Sequence, residues 1–447
     1  MRYMPHTAAE REEMLTKIGV GSIDDLFTDI PEESRLEGLL DLPLHESEMV
    51  VEKNFRKLAA KNLSPYSVPC FLGAGAYQHH VPSVADHIIQ RSEFLTAYTP
   101  YQPEISQGTL QALFEFQTQV ALITGMEVAN ASMYDGATSC AEAVLMACRV
   151  TRRKKAVISG NLHPHYRDVT HTTLQFTEFE TIDLPPAVSG AERVDDHITS
   201  EIACVVAQNP DFFGRLHDLS ALAEECHAAG TLLVVVVNEV VSLGAITSPG
   251  EMGADIVAGE GQSIGVPLSF GGPYVGLLAT RQKFVRQMPG RLCGQTVDQD
   301  GKRGFVLTLS TREQHIRREK ATSNICTNAG LCSLAFTIHM SLLGESGLTK
   351  LASLNHSQAV TLAEKLEAID GVDLLNDSFF NEFTLRLPMN AASAVEKLGE
   401  KGILGGVPVS RLIPDDPEMA NLLLVAATET CSASDMDDFV ATLKEVL

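Results

Sequence analysis

Residues Thr231–Val237 read TLLVVVV, an apolar run rich in β-branched side chains and without polar alternation. A strand of this kind is covered on both faces, as in a parallel sheet between two helix layers. The rest of the chain must therefore supply those layers. From about residue 65 to 335 it alternates short apolar runs with amphipathic stretches. Ala156–Ser159, Ile202–Ala207, Asp255–Ala258 and Tyr274–Ala279 read as further strands. Leu219–Ala229 reads as a helix stopped by Gly230. Alternating βα units predict an α/β sheet.

Two weaker regions flank this one. Residues 1–60 form a polar arm with helical patterning, in which Ser22-Ile-Asp-Asp25 has the form of a helix start and Pro31 closes the segment. Residues 336–447 read as a smaller α+β domain, with strands at Phe383–Leu387 and Asn421–Ala427 and helices at Ala391–Gly399 and Asp435–Val446, the last with Ser434 as N-cap. The expected division is an arm at 1–60, a large α/β domain at 61–335 and a small C-terminal domain at 336–447.

Composition excludes several roles. Lys plus Arg is 34 and Asp plus Glu is 57, a net charge of −23, which repels nucleic acid and anionic membrane surfaces. No apolar run reaches 18 residues, and the first residues, MRYMPHTAAEREEM, do not read as a signal peptide. The nine cysteines are scattered without a CxxC pair, which fits buried thiols in a reducing compartment. A cytoplasmic location is expected.

Most short motifs carry little. No P-loop is present. Gly73-Ala-Gly75 begins like a dinucleotide fingerprint, but Gln78 stands where its third glycine belongs. His79-His80 and His163-Pro-His165 are too sparse to predict a metal site. Tyr134–Ala143 is more informative: a small-residue turn with Gly136 opens into a helix near Thr138 or Ser139. Free N–H groups and the helix dipole there suit an anion; simple capping by Thr138 or Ser139 is the competing reading.

The series of a helix start, a strand ending at Asn238 and a later strand leading into Gly259–Gly265 resembles the large domain of fold-type I pyridoxal-phosphate-dependent transferases. That resemblance implies a helix start holding phosphate, an Asp facing the pyridine nitrogen and a Schiff-base Lys. This chain departs from it. Asn238 stands in the Asp slot and Ser263 at or near the Lys slot. No Lys occurs between Lys155 and Lys283, a stretch where about four are expected from 14 in the chain. Lys283 reads as part of a surface helix.

Longer words carry a closer resemblance. Met1–Arg35 with its IGVGSIDDLFTDIPEESR stretch, Phe71–His80, Thr99–Gly108 and Gly259–Gly265 are similar to glycine cleavage system P-proteins, in particular the N-terminal or alpha half, subunit 1. The resemblance implies a lysine-bearing partner, subunit 2, that binds pyridoxal phosphate covalently. It implies glycine as substrate, lipoylated H-protein as acceptor of the aminomethyl group, and a heterotetramer. It leaves this chain with no catalytic residue of its own. The proline-stiffened segment Tyr98–Gly108 offers Tyr98, Tyr101, Gln102 and Glu104 to complete the partner's site; a buried, well-bonded loop is the alternative. The competing functions are a self-sufficient pyridoxal-phosphate enzyme and a non-catalytic scaffold.

Overall fold

The computed structural model describes residues 6–36, 38, 40–95, 99–190 and 192–447. The chain divides into two units, Met1–Asn62 and Leu63–Leu447. In the first, helix α1 (Ala8–Ile18) starts at a Thr7/Glu10 capping box and stops at Gly19, whose φ of 87° suits glycine. The Ser22–Asp25 motif is tied together locally, with the Asp25 carboxylate accepting N–H bonds from Gly21 and Ser22. It opens only a 3-10 turn at Asp24–Phe27, not an α-helix. Helix α2 (Glu48–Ala59) follows; neither α1 nor α2 contains a buried residue.

The second unit begins with α3 (Ser83–Ile89), α4 (Ser92–Leu95), α5 (Gln107–Thr124), β1 (Val128–Ala129), α6 (Gly136–Thr151), β2 (Lys155–Ile158), α7 (Pro164–Leu174) and β3 (Glu180–Asp183). Strand β4 (Ile202–Gln208), α8 (Ser220–Ala228), β5 (Leu232–Val237), β6 (Ile256–Glu260) and β7 (Gly276–Thr280) complete a seven-stranded sheet of order β1-β7-β6-β5-β4-β2-β3. Strands β2 to β6 pair in parallel and β7 runs antiparallel to its neighbours. The apolar run became β5 because it lies between two cores. Leu233, Val235 and Val237 join one, while Leu232, Val234 and Val236 join the other. Each such side chain contributes about 1.5–3 kcal/mol when fully buried.

A two-stranded ribbon, β8 (Leu292–Val297) and β9 (Arg303–Thr308), packs beside α5. After the short α9 (Gln314–Arg317), the long α10 (Gly330–Glu367) bends at Gly344, which has φ 58° and ψ −172°, and runs through the expected 335/336 boundary. The C-terminal layer comprises β10 (Asp373–Leu374), β11 (Glu382–Arg386), α11 (Ala391–Glu400), β12 (Val407–Pro408), β13 (Leu422–Ala426) and α12 (Ala433–Val446), with an antiparallel sheet of order β10-β11-β13-β12. The N-cap of α12 is Ser432, in a capping box with Asp435; Ser434 already lies inside the helix. The alternation of Phe383 and Leu385 with Thr384 and Arg386 places the first pair in the core beneath α11 and α12.

Candidate functional site

Strands β5 and β6 are parallel neighbours, so Asn238 and Ser263 follow their carboxyl ends on the same edge of the sheet. Both are buried. The start of α6 reaches the same place. Its N-cap is Asp135, correcting the expectation of Thr138 or Ser139. The Asp135 carboxylate accepts the Thr138 N–H at 2.8 Å, Thr138 Oγ1 accepts the Asp135 N–H, and Ser139 Oγ donates to the Asp135 carbonyl. Asp won because its carboxylate reaches an N–H from outside the helix, where the two hydroxyls, already inside, turn back to carbonyls.

The anion position at this helix start is filled from within the chain. Glu260, the last residue of β6, accepts the Gly136 N–H through Oε2 at 2.9 Å, and through Oε1 the N–H groups of Gln262 at 3.1 Å and Val275 at 2.9 Å. Tyr166 presses its hydroxyl against Gly136, so a side chain at 136 has no room. Burial raises the Glu260 carboxyl to about 8 against the pull of these donors. Glu260 lies inside the word Gly259–Gly265, and only its being an acidic residue in a turn of small polar residues marks it there.

Beside it, the backbone of Ala74-Gly75 crosses the end of β5. Gly75 has φ +92°, and a Cβ there meets the His163 ring at 3.1 Å and Asn238 Nδ2 at 3.4 Å. His163 Nδ1 accepts the His165 N–H, so Nε2 carries the proton donated to the Ala74 carbonyl at 2.8 Å. Burial lowers its pKa to about 4, consistent with a neutral ring. Neither side-chain polar atom of Asn238 has a hydrogen-bond partner among the described residues. Gly73 serves a different purpose from a dinucleotide turn: it leaves room for the Glu382 carboxylate, which accepts the Ala74 N–H at 2.5 Å and the Tyr77 hydroxyl at 2.7 Å.

His79 continues this polar seam. Its Nε2 meets Glu239 at 3.0 Å and its Nδ1 meets Glu429 at 2.9 Å. Burial alone lowers an imidazole pKa, but the two carboxylates overcome it and raise His79 to about 10. The same pairing, against burial, takes Glu429 down to about 2. Asn355 Nδ2 donates to Glu429 and Asn381 Nδ2 to Glu239. The segment 71–80 thus joins the end of β5 to β11 and the turn after β13.

Lys283 is remote from Ser263. Its amine lies 3.7 Å from Asp255, which precedes β6, whereas Ser263 follows the far end of that strand, and its side chain is 65% exposed. A five-residue strand spans about 16 Å, so Lys283 does not serve the slot at Ser263.

The last candidate segment stands apart. Tyr98 lies outside the described residues. Tyr101, Gln102 and Glu104 are exposed, Tyr101 at 78% and its neighbour Ile105 at 80%, so the tip is not a buried loop. Its backbone is nevertheless folded: the Tyr101 N–H bonds the Thr99 carbonyl, and those of Ile105 and Ser106 bond the Gln102 carbonyl. A cavity of about 230 Å³ lies beside it, lined by Phe94, Leu95, Pro100, Leu113, Leu331 and Leu334 among others.

The glycine cleavage system P-protein family model matches residues 1–443. A protein of Parvibaculum lavamentivorans named probable glycine dehydrogenase (decarboxylating) subunit 1 is 64% identical over 448 residues, covering all of both chains. One of the same name from Xanthobacter autotrophicus is 64% identical over 447 residues, with the same coverage. Among solved structures, an inhibitor-bound glycine decarboxylase (P-protein) of the glycine cleavage system is 45% identical, covers all of both chains and superposes with a TM-score of 0.91. The sphingosine-1-phosphate lyase of Burkholderia pseudomallei, at 15% identity, 93% coverage of each chain and a TM-score of 0.61, shares the fold alone.

Proposed function

The chain belongs to the glycine cleavage system P-protein family, and on that premise we propose that it is the half of a heteromeric glycine decarboxylase that leaves the cofactor to its partner. It is a subunit 1 of glycine dehydrogenase (decarboxylating), one component of that enzyme. Pyridoxal phosphate does not fit this chain's own residues. The observation that carries the reading is Glu260: its carboxyl group takes the Gly136 N–H at the start of α6, together with the N–H groups of Gln262 and Val275 beside it, and so occupies the place a phosphate needs. Ser263 has no amine to form an imine, and Asn238 has no carboxylate for a pyridinium.

The cofactor, held by the lysine-bearing subunit 2, supplies an electron sink for loss of CO₂ from glycine. This chain's contribution lies in the exposed segment at 101–104. Tyr101 presents a phenol, Gln102 an amide and Glu104 a carboxylate on a backbone stiffened by Pro100 and Pro103, a set able to orient glycine and exclude water at a site across the interface. Lipoylated H-protein is the aminomethyl acceptor, the assembly is a heterotetramer, and its compartment is the cytoplasm; the sequence resemblance supports the acceptor and the assembly, and the scattered cysteines support a reducing compartment.

The two chains purified together test it. Borohydride reduction is expected to fix cofactor on the partner alone, and Tyr101→Phe and Glu104→Gln each to lower glycine–bicarbonate exchange by about tenfold or more. A reduced adduct on this chain, or unchanged exchange in both variants, refutes the respective half of the reading.

A further inference from the structure

The segment carrying Tyr101 and Glu104 is exposed, yet side chains tie it down on either side of its tip. Toward its start, the buried Arg291 donates through Nη1 to Thr99 Oγ1 at 3.3 Å. At its end, Gln107 Nε2 donates to the Pro103 carbonyl at 2.7 Å and to the Phe305 carbonyl at 2.9 Å, while Oε1 accepts the Phe305 N–H at 2.8 Å. One amide therefore bonds the tip and both polar groups of one residue on β9, as an adjacent strand does. Strand edges leave such groups open. Opposite, Gly304 faces the amide, and a Cβ there would stand in ordinary contact, 3.4 Å from Gln107 Oε1.

The same device recurs ten residues along α5. Gln117 Nε2 donates to the Cys293 carbonyl at 2.9 Å, and its Oε1 accepts the Cys293 N–H at 2.8 Å. Leu110, Leu113, Cys293 and Phe305 fill the space between them. Two glutamines thus fasten α5 to the ribbon, but only Gln107 also bonds the segment 99–106.

We propose that Gln107 is a positioning residue of the assembled enzyme: it locks the Tyr101–Glu104 tip to the β8–β9 ribbon so that the tip meets the partner's site in one geometry. This rests on the reading that the tip serves that site. A free tip must be ordered at each turnover, and small misplacements of a positioning group are costly in rate. Gln117 holds the ribbon without touching the tip, so it separates presentation of the tip from docking of the ribbon.

The test uses the heteromer with Gln107→Met, Gln117→Met and Glu104→Gln, singly and with Gln107→Met combined with Glu104→Gln. Gln107→Met is expected to speed hydrogen exchange at the Tyr101, Ile105 and Ser106 amides and to lower kcat/KM for glycine by about tenfold. Gln117→Met is expected to leave both near wild type, and Glu104→Gln to add little in the Gln107→Met background. Unchanged exchange in Gln107→Met overturns the lock. An equal loss in Gln117→Met, or full additivity with Glu104→Gln, overturns the positioning role. If Tyr101→Phe and Glu104→Gln are themselves silent, the reading of the tip fails, and exchange still decides whether Gln107 locks it.

Discussion

Glu260 changes what the start of α6 can do without changing the helix. Three N–H groups that could take an outside anion are satisfied by a side chain of the same chain, and burial keeps them so. Above pH 8, where the Glu260 carboxyl is ionised, Glu260→Gln keeps the shape but turns an NH₂ toward at least one N–H donor, leaving a buried polar group unpaired. The expected loss is about 1–3 kcal/mol in urea unfolding. His79 gives the pH dependence. Its folded value, about 10, lies above the 6.5 of a free imidazole, so its contribution is complete below pH 6.5 and is lost as pH rises toward 10. Glu429 falls from 4.5 to about 2, so its contribution is complete above pH 4.5 and is lost as pH falls toward 2. Glu429→Gln breaks this buried pair and is expected to cost about 3 kcal/mol. Urea midpoints of wild type and variant, compared across pH, should differ most between 4.5 and 6.5 and converge on both sides; a constant difference refutes the pairing.

At the scale of elements, legibility followed burial pattern and failed where side chains chose among neighbouring caps. TLLVVVV announced β5 and its two covering layers because each half of its residues meets a different core. The starts of α6 and α12 were each displaced by a few residues, since Asp135 and Ser432 outcompeted the nearby hydroxyls at Thr138, Ser139 and Ser434. Asp135→Ala is therefore expected to cost about 1 kcal/mol of stability by thermal unfolding, and Thr138→Ala less, because Asp135 rather than Thr138 receives the helix N–H. An equal cost for both assigns the cap to the box as a unit. The glycines at 73 and 75 were visible, but their purpose was not. Glu382, His163 and Asn238 lie 88 to 309 residues away in sequence, and no local pattern connects them. The amide at Gln107 was hidden for the same reason: its partner Phe305 stands 198 residues on.

Across the whole molecule, on the proposed reading, Ser263 is one of several residues that together leave the cofactor no place in this chain. Ser263→Lys alone restores an amine after β6 but meets a chain whose anion position holds Glu260, whose β5 end carries Asn238, and whose Ala74-Gly75 backbone lies against His163. A lysine buried among these groups loses solvation without gaining a phosphate anchor or a pyridinium partner. Borohydride treatment of Ser263→Lys with added pyridoxal phosphate is therefore expected to fix no more cofactor at that position than at surface lysines such as Lys283, with the partner's own loading as the positive control. Adding Glu260→Gly and Asn238→Asp frees the three N–H groups and supplies a carboxylate, so specific labelling at residue 263 is expected only in the combined variant. Stoichiometric labelling of Ser263→Lys by itself would show that the missing amine was the sole barrier and that the filled helix start is incidental to the division of labour between the two subunits.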